Sequence, residues 1–148
     1  MRLLLDTNAL LLFIVGSVKI QAVGTKRLQA FDRVDFDLVA HLAMETPNHI
    51  STPHILAEVS NFLGSGQQQF VEGGAVAFAA YIALLHEIHV PAEDVVAIPE
   101  FHALGLTDAA IYLLAGSDTR VVSVDYHLCN RLAASGVEAI NPRNLRTP

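Results

Sequence analysis

Short apolar runs stopped by carboxylates set the pattern of this chain. Leu3-Leu4-Leu5 ends at Asp6, and Val121-Val122-Ser123-Val124 ends at Asp125. Brief apolar runs bounded by polar residues predict strands buried on both faces, as in a parallel sheet. Residues 2–5 and 121–124 are read as such strands, with His49-Ile50-Ser51 and Val137 to Ile140 as two shorter ones. Between them the periodicity turns helical. Asn8 to Val15 predicts a short apolar helix ending near Gly16. From Lys26 to His41 the residues Leu28, Phe31, Val34, Leu38 and Leu42 keep helical spacing, with an interruption around Asp35-Phe36-Asp37 that allows one or two helices.

Thr52-Pro53 reads as an N-cap followed by a first-turn proline. The stripe Ile55, Leu56, Val59, Phe62 and Leu63 then runs to Gly64. Glu58 falls at the edge of that stripe. A long helical region is expected from Gln67 to about Ile88, and one or two short helices over 92–103, entered at Pro91. Thr107 is read as the cap of a helix from Asp108 to Ala115, apolar on almost every side and therefore buried. Tyr126 to Ala134 is a further helix, closed by Ser135-Gly136, and the tail from Asn141 is expected to be loose. With no repeat and no linker, residues 1–148 read as a single α/β domain with a mainly parallel sheet.

Composition changes this picture little. Apolar residues make up 52% of the 148, which favours a large core and a subunit interface. The net charge is −6 and both lysines lie in the first fifth, so nothing in the overall charge advertises nucleic-acid binding. Cys129 is the single cysteine, so no disulfide can form within the chain. Asp6 and Asn8 break the N-terminal apolar run too early for a signal peptide. The longest apolar run, Ala75 to Leu85, is too short to span a bilayer. A soluble, cytoplasmic protein with no membrane role is expected.

Four of the fifteen acidic residues stand apart by position. Asp6 and Asp125 end buried strands, Asp108 opens a buried helix, and Glu58 edges the apolar face of another. Each alone has a structural explanation as a helix cap or a dipole partner. Together at one sheet edge, four like charges would repel and raise one another's pKa values, a conflict that a divalent cation removes. Oxygen-only ligands suit Mg²⁺ or Mn²⁺ rather than zinc.

The segments Leu3-Leu4-Leu5-Asp6-Thr7-Asn8-Ala9, Pro53 with Glu58 beyond it, Leu104-Gly105-Leu106-Thr107-Asp108-Ala109-Ala110-Ile111, and Val122-Ser123-Val124-Asp125 resemble the PIN domain in order and spacing. The match spans nearly the whole chain, and its first and third motifs are the specific ones. The resemblance implies a three-layer α/β/α domain around a short, mainly parallel central sheet. It also implies a Mg²⁺- or Mn²⁺-dependent endoribonuclease whose products carry a 5′-phosphate and a 3′-hydroxyl. Asp6, Glu58, Asp108 and Asp125 match the family's acidic quartet. Asp6 and Asp108 are taken as principal metal ligands, and Glu58 and Asp125 as completing the site. Asn8 and Ser123 are expected to hold carboxylates in place by hydrogen bonds. Small PIN domains are often toxins of VapBC-type toxin–antitoxin pairs, which implies RNA as substrate, a cognate antitoxin as partner, and a homodimer. Lys and Arg are scarce near the motifs, so no RNA-contacting residue is identified.

Other folds that place acids at strand ends fit these residues less well. Phosphatases of the haloacid dehalogenase type carry a second Asp where Asn8 stands, and they and receiver domains need a later lysine; none follows Lys26. A catalytically inactive binding module and an RNA-processing nuclease that is not a toxin remain the alternatives. His86 and His89 stand three apart without a third ligand, and Gly73-Gly74 lacks a phosphate-loop pattern. His54, one turn before Glu58, is read as a rim histidine.

Overall fold

A computed structural model describes residues 1–147. Five strands among these residues form one parallel sheet: β1 (Arg2–Leu5), β2 (His49–Ser51), β3 (His86–Glu87), β4 (Thr119–Val122) and β5 (Glu138–Ile140), in the order β3-β2-β1-β4-β5. Leu4 of the central β1 lies opposite Ile50 on one side and Val121 on the other, and all three are buried. That is why β1 and β4 read as unbroken apolar runs. Among the described residues, seven α-helices surround the sheet: α1 (Thr7–Val18), α2 (Arg33–Glu45), α3 (Pro53–Leu63), α4 (Gly74–Leu84), α5 (Ala92–Val96), α6 (Phe101–Leu114) and α7 (Tyr126–Ala134). α1 packs on α2, α3 and α4, while α6 packs on α5 and α7, in a three-layer α/β/α arrangement. Among the described residues, no helix is long and apolar enough to cross a membrane.

Several boundaries differ from the expectation, each for a local reason. The break predicted near Asp35 falls earlier. Asp32 and Asp35 form a reciprocal capping box that starts α2, after a separate 3-10 turn at Lys26–Leu28. The long helix expected from Gln67 to Ile88 is shorter, because α4 ends at Leu84 and His86-Glu87 form a strand. That strand has two exposed residues and pairs with β2 alone, so it leaves no periodic signal. Pro91 is the cap of α5 rather than its first residue. The described part of the tail is held rather than loose, and residue 148 lies outside the described residues. Arg143 lies 4.9 Å from the Phe31 ring centroid and donates to the Ala30 carbonyl at 2.8 Å, and Arg146 donates to Asp32 and Asp35.

Gly16 does not end α1 but lies inside it, buried where α2 crosses. A Cβ there would overlap the Phe36 ring. Overpacking of this kind costs about 1–3 kcal/mol, against a helix-propensity gain of at most about 1 kcal/mol for alanine. Gly16→Ala is therefore expected to lower stability in urea unfolding. Adding Phe36→Leu should recover it; a stabilising Gly16→Ala alone would contradict the close approach.

Candidate functional site

The chain travels outward from β1 through β2 and β3, then returns to add β4 and β5 on the other side. This reversal makes a topological switch point between β1 and β4, and in open α/β sheets the crevice beyond the strand ends at that point is where ligands bind. A cavity of about 760 Å³ opens there, and Asp6, Glu58, Asp108 and Asp125 all line it.

Asp6 follows β1 directly. Its backbone N–H donates to the Val122 carbonyl at 3.0 Å, which ties it to β4. Its carboxylate caps α1, accepting from the Ala9 N–H at 2.8 Å, and also accepts the Ser123 hydroxyl. Ser123 is buried, and its oxygen accepts the Asp125 N–H at 2.9 Å. One hydroxyl thus fixes the carboxylate of one acid and the backbone of another. Asp125 caps α7 through the Leu128 N–H at 3.1 Å. It is exposed, not sunk at a strand end, because β4 stops at Val122 and two further residues carry the chain outward.

Glu58 is half-buried on α3 and accepts from the Thr7 hydroxyl at 2.6 Å. Asp108 enters from α6. That helix is broken at Gly105, whose φ of 80° lies in the left-handed region that favours glycine. Gly105, rather than Thr107, separates the two segments, and Thr107 and Asp108 lie in the first turn after it. The second segment is less enclosed than its composition suggests, with Leu106 and Leu113 exposed.

Burial dominates the electrostatics. The Asp6 carboxyl is raised from 3.8 to about 6, chiefly by desolvation, and the Ser123 and Ala9 hydrogen bonds offset part of the rise. Asp108 is raised from 3.8 to about 7, first by desolvation and then by the charges of Asp6, Asp125 and Glu58; no hydrogen bond counters them. The donors lining the cavity are mainly carboxylate oxygens, the hard type that Mg²⁺ and Mn²⁺ prefer. A cation between them would favour the charged forms that burial disfavours. In their present rotamers, no three acidic, His or Cys side chains among the described residues converge into a ready ligand set.

Asn8 lines the cavity but holds no carboxylate; its Oδ1 accepts from Arg27 Nε at 3.3 Å. His54 lies on the cavity wall as expected, with its Nδ1 buried and unbonded. Thr7 and Arg27 were missed. Thr7 stands inside the first motif, where its hydroxyl was a readable signal. Arg27 comes from a 3-10 turn without any motif, and only the fold brings it here. No family model matches the chain, and no curated protein matches it.

A carboxyl raised in the folded state keeps its proton where the unfolded chain has already lost it. Its contribution to stability is complete below the ordinary value of 3.8 and is lost as pH rises through about 6 for Asp6 and about 7 for Asp108. In EDTA the melting temperature is therefore expected to fall as pH rises across that window. Asp108→Asn should flatten the fall and raise the melting temperature at neutral pH. Calorimetry at several pH values checks both, and an unchanged slope in the variant would remove burial as the cause.

Proposed function

We propose that this chain is a Mg²⁺- or Mn²⁺-dependent endoribonuclease of the PIN-domain type, acting as the toxin of a toxin–antitoxin pair. The observation that carries the reading is the meeting of Asp6, Glu58, Asp108 and Asp125 in one cavity at the switch point of a parallel sheet. Asp6 and Asp108 would hold the metal, and Glu58 and Asp125 would complete the site. When bound, the ion lowers the pKa of a coordinated water and neutralises charge on the scissile phosphate.

The chain's own groups prepare the site. Ser123 presents the Asp6 carboxylate in one orientation through its hydroxyl, and Thr7 does the same for Glu58. Asp6 and Asp125 cap α1 and α7, so two helix N-termini face the cavity and partly offset its negative charge. Asp108 has no such partner; burial and the neighbouring acids raise its carboxyl to about 7, so it is only partly ionised at neutral pH, and a cation in the site would favour the charged form.

Purified protein incubated with mixed single-stranded RNA is expected to cleave it with Mg²⁺ or Mn²⁺ and not with EDTA, leaving 5′-phosphates and 3′-hydroxyls. Asp6→Asn should abolish cleavage while the protein stays folded. Ser123→Ala, which frees the Asp6 carboxylate, should weaken metal binding about 10–100-fold. Cleavage that persists in EDTA, or in Asp6→Asn, would sink the reading.

The proposal extends to assembly. α4 carries no charged residue, and its Val76 and Leu84 are 75% and 88% exposed. Such a face supports a homodimer, with the antitoxin as its partner in the cell. Light scattering at micromolar concentration is expected to give twice the chain mass, and a monomer would contradict it.

A further inference from the structure

Among the described residues, Arg27 is the only Lys or Arg that lines the acidic cavity. Its guanidinium carbon lies 4.2 Å from the centroid of the Phe62 ring, and Phe62 lines the same cavity. Its Nε donates to the neutral Asn8 amide at 3.3 Å. Although four carboxylates share the cavity, Arg27 forms no salt bridge with any of them. An arginine serving only to neutralise the acids would be paired with one.

We propose that Arg27, laid on Phe62 and steadied by Asn8, grips a backbone phosphate of the RNA strand at the rim of the cavity. The assignment rests on the nuclease reading for its ligand. A guanidinium has five N–H donors in a planar fork. With Nε occupied by Asn8, both terminal nitrogens remain available, and that edge matches two oxygens of a phosphate. The aromatic face fixes the plane without consuming a donor. The ion held by the acids can neutralise the phosphate undergoing cleavage. A neighbouring phosphate would meet only the residual negative field unless a cation stood at the rim, which is where Arg27 is. The contact places one positive charge where a chain of net charge −6 would otherwise present only negative field to a polyanion.

The test uses a short fluorescein-labelled single-stranded RNA of mixed sequence, with Ca²⁺ in place of Mg²⁺ and probe integrity checked on a gel. Anisotropy titrations at several salt concentrations compare wild type, Arg27→Gln and Arg27→Lys, and Mn²⁺ affinity is measured for each. Arg27 is exposed, so the variants are expected to fold. Loss of one phosphate contact should reduce the salt slope by about 0.7 and weaken binding roughly five-fold at moderate salt. Mn²⁺ affinity should not change, and Arg27→Lys should fall between the other two.

An unchanged slope and affinity in Arg27→Gln would overturn the assignment. So would a parallel loss of RNA and Mn²⁺ binding with the slope intact, because Arg27 would then act through Asn8 on the acids. Wild type that binds RNA with the expected slope but cleaves none with Mg²⁺ or Mn²⁺ would remove the nuclease reading and leave Arg27 as the phosphate contact. Wild type that binds no RNA would remove both.

Discussion

Everything at the cavity depends on holding carboxylates where water is scarce and other carboxylates are near. A charge removed from water without a partner costs several kcal/mol, on the order of the whole stability margin of a domain. The protein limits the cost unevenly. Asp6, the most buried, receives a backbone N–H and a hydroxyl, and Glu58 receives a hydroxyl. Asp125 is left in solvent. Asp108 receives nothing and responds by holding its proton. A divalent ion would turn this graded reluctance into binding energy, since it rewards most the groups that solvent rewards least.

The same acids do structural work. Asp6 and Asp125 begin helices, and Asp108 lies in the first turn beyond the Gly105 break. Removing any one therefore perturbs a helix start as well as a charge. Asparagine is the replacement that separates the two effects at Asp6 and Asp125, because it still caps. The kink at Gly105 serves the site too. A helix unbroken from Phe101 onward would have no free N-terminus beside Asp108.

The sequence showed the central frame because burial on both faces leaves an unmistakable record: Leu3–Leu5 and Val121–Val122 have almost no polar alternatives. It showed α3 and α7 for a different reason, their caps Thr52 and Asp125 and their closing glycines. It failed where structure is set by tertiary contact. β3 is two exposed residues that exist only because β2 offers an edge, and Gly16 reads as a terminator although Phe36 is what requires it. At the site, the acids were legible because carboxylates beside apolar runs are conspicuous. Arg27 was not, since nothing local distinguishes it from any exposed arginine, and its meaning comes from Asn8 and Phe62. Asn8, which the motif places with the carboxylates, has that arginine as its partner.

β1, the middle strand of the sheet, is made before the four strands around it. On a ribosome it emerges long before β4, and the Ser123 hydroxyl that orients Asp6 lies 117 residues away. Pairings across such distances form late, after the loop between them has closed. A nascent or prematurely terminated chain therefore carries Asp6, Glu58 and even Asp108 without the strand that gathers them. Translation must run to β4 and α7 before the four acids share a cavity. The connectivity of the sheet acts as a timer that keeps the site unassembled until β4 and α7 have been made.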